Sequence, residues 1–281
     1  MNASSLPIGV TFNLKVRPDH FSAIDVLDLH FPVVAGRRVA EDRLAPTSLF
    51  IYGTAFPFPV WHGGIFATAA HVVKSASVAG EVVLGRLGHD IPGYGVERAE
   101  IFENFDFALL KCPGLEKFPP VNLEMQASLR LFDDVSAVGY PFSVDPEHLV
   151  ATHRGFAGHI VACRQLYRLP GQPFGYELSF PTPPGMSGAP LMHRGRDGST
   201  RCYGFVVEHA TTEFAGVSIS LGIAVSCWIL WSIRSRFLRS DAFSAWFGVS
   251  AAPQPPPHAP KQLAPDMPTE SDLEDWTDSE T

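Results

Sequence analysis

Cysteine is scarce in this chain and never closely paired: Cys112, Cys163, Cys202 and Cys227 are widely separated and form no Cys-x-x-Cys. That spacing excludes the usual zinc and dithiol redox motifs, and the four side chains read as core packing. No metal and no cofactor is expected. Charge is thin as well, at 18% of residues with a formal net charge of -8, and no basic run is present, which excludes a nucleic-acid surface. The amino-terminal stretch MNASSLPIGV lacks a basic start followed by a long apolar run, so no secretory leader is expected. One uncharged stretch, 214–233, has the length of a membrane span. Gly216, Gly222 and four serines dilute it, and it reads better as a strand followed by a closing helix over 228–238, so no span is expected.

What the chain does have is punctuation. Its 24 glycines and 25 prolines alternate with β-branched and aromatic runs, a pattern of strands joined by turns rather than of long helices. Strands are predicted at 48–56, 64–69, 82–84, 96–101, 107–110, 134–141, 155–161, 175–180, 191–192, 203–207 and 219–225. Beyond Gly248 the composition turns Pro-rich and then acidic. Asp266, Glu270, Asp272, Glu274, Asp275, Asp278 and Glu280 stand there against Lys261 alone, the signature of a disordered tail. Trp276 and Leu273 among those acids mark a possible docking segment for a partner.

Three stretches carry chemistry. Pro183-Pro184-Gly185-Met186-Ser187-Gly188-Ala189-Pro190 sets a serine between glycines in a segment suited to neither helix nor regular strand. Gly185 can take backbone angles closed to other residues, so the amides of Gly185 and Ser187 can turn together toward one developing oxyanion. A serine at its free pKa is a poor nucleophile and needs a base. Thr68-Ala69-Ala70-His71 ends a strand-like run at a histidine, and Asp106-Phe107-Ala108-Leu109-Leu110 opens another at an aspartate. Asp90, Glu103, Asp133 and Asp134 are rivals for the acid by distance along the chain, but none opens a wholly apolar strand as Asp106 does.

The order His71, Asp106, Ser187, with TAAH, DFALL and GMSGAP around them, resembles the trypsin-like serine peptidases of the chymotrypsin fold. The resemblance implies an all-β fold of two packed six-stranded antiparallel β-barrels with a C-terminal helix and a disordered tail. It divides the chain into an N-terminal extension (1–43), a first barrel with linker (44–130), a second barrel with closing helix (131–240) and the tail (249–281). It implies His71 as base, Asp106 as its orienting acid and Ser187 as nucleophile, with Gly185 and Ser187 forming the oxyanion hole. It also places Pro181 and Thr182 at the floor of the primary substrate pocket, Val207-Glu208-His209 along the substrate backbone and Gly222 in a pocket wall. No carboxylate stands at that floor, so a preference for lysine or arginine is not expected.

Two departures from the secreted members are informative. Met186 occupies the place where activated zymogens carry an aspartate paired with a new amino terminus, so activation by that route is not expected. Val72 and Pro183 stand where those relatives carry bridging cysteines, which implies a reducing, cytoplasmic setting. The sequence leaves three functions open: an endopeptidase acting on proteins or peptides, a catalytically silent peptide-binding module of the same fold, and an esterase using the same triad. Thiol trapping of the protein in its native cell, read by mass spectrometry, is expected to return all four cysteines unpaired; a bridge between any two would overturn the reducing assignment.

Overall fold

The structure is a computed structural model and describes residues 30–40, 43–59, 64–85, 94–141, 144–145, 150–151, 153–195, 197–214, 217–233, 235 and 237. The tail and the docking segment around Trp276 lie outside the described residues, as do residues 1–29.

Strands dominate, as the turn-rich composition requires. Seven form one sheet: β1 (Phe31–Ala40), β2 (Arg43–Pro57), β3 (Ile65–Ala69), β4 (Glu81–Leu84), β5 (Tyr94–Gly95), β6 (Arg98–Phe102) and β7 (Phe107–Lys111), in the order β5-β4-β1-β2-β3-β7-β6. The central strands β3 and β7 are buried nearly throughout, which is why IFATA and FALL show no alternation of polar and apolar residues. This curled half-barrel sheet is consistent with the first barrel of a chymotrypsin-like pair. No ladder joins its edge strands β5 and β6 among the described residues. Phe31–Ala40 runs between β2 and β4, so this part of the segment set apart in sequence as 1–43 is an integral strand of the first sheet.

The second half closes fully. β8 (Asp134–Gly139), β11 (Arg154–Gln165), β12 (Phe174–Leu178), β13 (Pro190–Arg194), β14 (Thr200–Phe214) and β15 (Val217–Ser226) make a six-stranded barrel in the order β11-β12-β15-β14-β13-β8. The short pair β9 (Val144–Asp145) and β10 (Val150–Ala151) stands apart as a two-stranded ladder. Between the two halves, residues 112–133 carry no strand, and the Pro119-Pro120 segment leads into contacts with both sides. Val121 N–H donates to the Pro57 carbonyl, while Cys202 exchanges backbone bonds with Asn122 and Glu124.

The expected closing helix is shorter and tighter than its sequence pattern suggests. Cys227–Ser232 forms a 3-10 helix whose first turn is capped by the Ser226 hydroxyl on Trp228 N–H, and Ile233 is already extended. Bulky Trp and Ile side chains crowd an α-helical turn, whereas this geometry lets Ile229, Leu230 and Ile233 all enter the core. The part of the predicted helix beyond residue 237 is outside the described residues. One α-helix is described, Ala70–Ala79, and no described helix is long and apolar enough to cross a membrane.

Packing fuses the halves. A single apolar cluster takes Phe56, Phe107 and Leu109 from the first sheet and Phe205, Val207, Val225 and Ile229 from the second barrel and the turn after it. Phe107 lies at its centre, its ring 5.0 Å from that of Phe205 and stacked on Phe102. Cys202 and Cys227 sit in the same cluster with sulfurs 3.9 Å apart, unbonded, and burial pushes the Cys227 and Cys112 thiols up, away from reactive thiolate. Phe107→Ala is expected to cost about 3–5 kcal/mol of stability. Urea unfolding would show this as a lowered midpoint, and a midpoint within error of the parent's would mean that the halves are not held together through this ring.

Candidate active site

The base of the site is a corner where β3 stops. Ala69 and Ala70 are fully packed, and the chain turns directly into the helix Ala70–Ala79, whose second residue is His71. Its N-terminus has no side-chain cap of its own. Asp106 supplies the missing partners: its carbonyl accepts from Ala70 N–H at 3.0 Å, and its Oδ1 accepts from His71 N–H at 2.9 Å. The other carboxylate oxygen lies 2.7 Å from His71 Nδ1. One carboxylate therefore grips the histidine by backbone and ring together, leaving Nε2 as the ring nitrogen directed away from it.

Asp106 reaches that position through a conformation few residues tolerate. The turn Glu103–Phe105 ends on Asp106 at φ 49° and ψ 42°, in the left-handed region, where aspartate is more at home than a bulky side chain. Immediately afterwards β7 begins, its ladder to β3 pairing Phe107 with Ala69. The histidine and the aspartate thus sit at the adjoining ends of two paired strands. The aspartate side chain is 15% exposed and the imidazole 46%, so the acid is sheltered while the ring faces the open side.

The serine loop comes from the other half and is clamped by the first. Gly185 has φ 97° and Gly188 φ 86°. A Cβ on Gly185 would come within 2.0 Å of the Tyr140 carbonyl, and one on Gly188 within 2.1 Å of the Thr54 carbonyl and 2.3 Å of Thr68 Oγ1. Only glycine fits either place. Thr54, fully buried in β2, donates its hydroxyl to the Gly185 carbonyl at 2.8 Å and its N–H to the Ser187 carbonyl at 2.8 Å, and accepts from Tyr140 N–H. Thr68 in turn donates to the Thr54 carbonyl at 2.7 Å. Gly53 lets this happen at close range, since a methyl there would meet both Val72, next to His71, and the Ser187 carbonyl at under 3 Å.

The amides of Gly185 and Ser187 donate to no group among the described residues. Met186 is fully buried in the apolar interior of the second barrel, with no place for an ion pair. The Ser187 hydroxyl donates to the Val207 carbonyl at 3.1 Å, and no hydrogen bond joins it to His71. The structure thus brings His71 and Asp106 into direct contact and places the Ser187 loop against the same strand end.

Around the serine, Thr182 donates its hydroxyl to the Glu208 carbonyl at 2.7 Å, and Gly222 pairs with His209 in the β14–β15 ladder while lying against Thr182. Pro181 is exposed. Thr182, Glu208, His209 and Gly222 therefore form one neighbourhood with Val207 and Ser187. Sequence reading assigned no role to Thr54, Thr68 or Gly53. The signal for Thr54 was an aliphatic hydroxyl in the mostly apolar run FIYGTAFP, a residue that burial obliges to find partners.

The family model of the trypsin-like peptidase domain matches residues 53–199, about half of the chain. The chain belongs to this family, the trypsin-like serine peptidases of the chymotrypsin fold. No curated protein matches it in sequence. Among solved structures it is similar to an inactive form of a serine-to-alanine mutant of Rv3671c from M. tuberculosis H37Rv, at 18% identity over 72% of this chain and 83% of that one, with TM-score 0.50. It is also similar to the HtrA-type protease AlgW, in an alanine variant with a tripeptide, at 18% identity over 77% of this chain and 62% of that one, with TM-score 0.53. At that identity these two speak to the fold alone.

Thr54→Val keeps the shape of the clamp and removes both hydroxyl bonds, leaving the Gly185 carbonyl without its partner. A loss of about 1–3 kcal/mol is expected, read as a lower thermal midpoint; unchanged stability would mean that the loop is held by packing alone.

Proposed function

We propose that the chain is a serine endopeptidase in which His71 is the general base, Asp106 fixes its tautomer and Ser187 is the nucleophile. The observation that carries this reading is the double grip of Asp106 on His71, at 2.9 Å to the backbone N–H and 2.7 Å to the ring. With Nδ1–H committed to the carboxylate, Nε2 is left as the acceptor, the tautomer a base needs.

In the first step the Ser187 Oγ attacks the scissile carbonyl carbon as its proton passes to His71 Nε2. The resulting oxyanion is met by the unbonded amides of Gly185 and Ser187. His71 then returns the proton to the departing amine, and the C–N bond breaks to leave an acyl ester on Ser187. Water repeats the sequence, with His71 taking its proton, and releases the acid. Proteins or peptides are the substrates, bound along Val207, Glu208 and His209 with Pro181, Thr182 and Gly222 at the side-chain pocket; the chemistry uses no cofactor. The division of the chain near residue 130, the cytoplasmic setting and a partner for the segment around Trp276 belong to the same proposal.

One observation favours a second reading, a silent peptide-binding module: the Ser187 hydroxyl donates to Val207 rather than to His71. Labelling by a fluorophosphonate separates the two. Stoichiometric labelling lost in Ser187→Ala and His71→Ala is expected, with Asp106→Asn folded but lower in turnover by about 10⁴-fold. Folded protein that resists the reagent would leave the binding module standing. Full activity in Asp106→Asn would show that another acid does the orienting. Peptide-library cleavage against simple ester hydrolysis then distinguishes peptidase from esterase.

A further inference from the structure

The pairing of β14 changes beside the serine. Its ladder with β13 ends at Phe205, opposite Pro190. Val206 then trades backbone bonds with Ala189 and Gly188. From Val207 to Phe214 that edge pairs with no strand among the described residues, while the opposite edge stays paired to β15 as far as Val217. An extended peptide can therefore join the sheet only on the open edge. Val207 offers its carbonyl there, already taken by the Ser187 hydroxyl. A peptide residue whose amide took over that carbonyl would lie beside Ser187, next to the space bounded by Glu208, Thr182 and Gly222.

That space is spanned by Thr182. The side chain is 3% exposed, its hydroxyl donates to the Glu208 carbonyl at 2.7 Å on one side, and a methyl added to Gly222 on the other would lie 2.5 Å from its Cγ2. The threonine thus touches both walls. Gly222 is itself fixed, with its N–H on the Phe180 carbonyl at 2.8 Å, so the wall has no simple way to retreat. A long side chain would have to expel Thr182 and break its hydroxyl bond to the Glu208 carbonyl.

We infer that Thr182 is the specificity-determining residue of the pocket and that the chain takes peptides with a small residue, alanine, serine or glycine, on the acyl side of the cleaved bond. This rests on the peptidase reading for its chemistry, but the pocket itself is testable without turnover.

The experiment measures binding of fluorescent tetrapeptides ending in Ala, Phe or Lys to the full chain carrying Ser187→Ala, with fluorophosphonate labelling of the unsubstituted chain run in parallel. The Ala peptide is expected to bind about 100-fold more tightly than the other two. Thr182→Gly should shrink that ratio about 10-fold by admitting Phe, whereas Thr182→Ser, which retains the hydroxyl bond, should keep most of it. A near-parental circular dichroism spectrum of Thr182→Ser guards against misfolding as the cause. Equal binding of Phe or Lys, or no binding of any peptide, overturns the pocket assignment. Ala preference without labelling would uphold the pocket and sink the peptidase reading; labelling without Ala preference would do the reverse.

Discussion

The site depends on one buried threonine reaching across the molecule. Thr54 belongs to β2 of the first sheet, yet its hydroxyl and its amide hold the carbonyls of Gly185 and Ser187 in the second half. A carbonyl fixed by a donor fixes the peptide plane it belongs to, and the plane after Gly185 is the one that carries the Met186 amide toward Pro183. The neighbouring amides of Gly185 and Ser187 are thereby left unbonded. The positive φ angles at Gly185 and Gly188 are consequences of the same clamp, since any Cβ there would collide with Tyr140, Thr54 or Thr68.

Around this contact the two halves divide the work. The first sheet supplies a rigid edge: the adjoining ends of β3 and β7 hold His71 and Asp106 with no intervening flexible segment. The second barrel supplies the loop and the open edge of β14. The shared cluster of Phe107, Phe205 and their neighbours lies beneath both, so movement between halves would have to repack aromatic rings that interlock at about crystal density. Positioning of the reacting groups is thus a property of the whole core and not of the loop alone.

Much of this was legible in sequence. The order of TAAH, DFALL and GMSGAP pointed to the family and to His71 and Asp106 as neighbours, because a histidine closing one apolar strand and an aspartate opening another fit adjoining ends of a ladder. Burial of Met186 follows from its being apolar in a loop otherwise made of small residues. Other features depend on three-dimensional neighbours that no local pattern carries. Residues 1–43 read as an added strand and a loop ahead of the motifs, yet Phe31–Ala40 lies between β2 and β4 inside the first sheet. The turn after β15 reads as a helix because Leu230, Ile233, Phe237 and Leu238 have helical spacing, whereas Cys227–Ser232 forms a tighter 3-10 turn. The reach of Thr54 over 131 residues to Gly185 has no sequence signal beyond a polar atom that burial must satisfy.

The bond from the Ser187 hydroxyl to the Val207 carbonyl has a kinetic meaning. A hydroxyl has one proton to donate, and in the unliganded chain that proton is directed at the strand edge an incoming peptide would join, away from the imidazole. A peptide amide that claims the same carbonyl competes for it and frees the hydroxyl to turn. Under the peptidase reading, a peptide along β14 would both occupy the edge and release the hydroxyl, whereas a smaller reagent would have to compete with an intact bond from Ser187 to Val207.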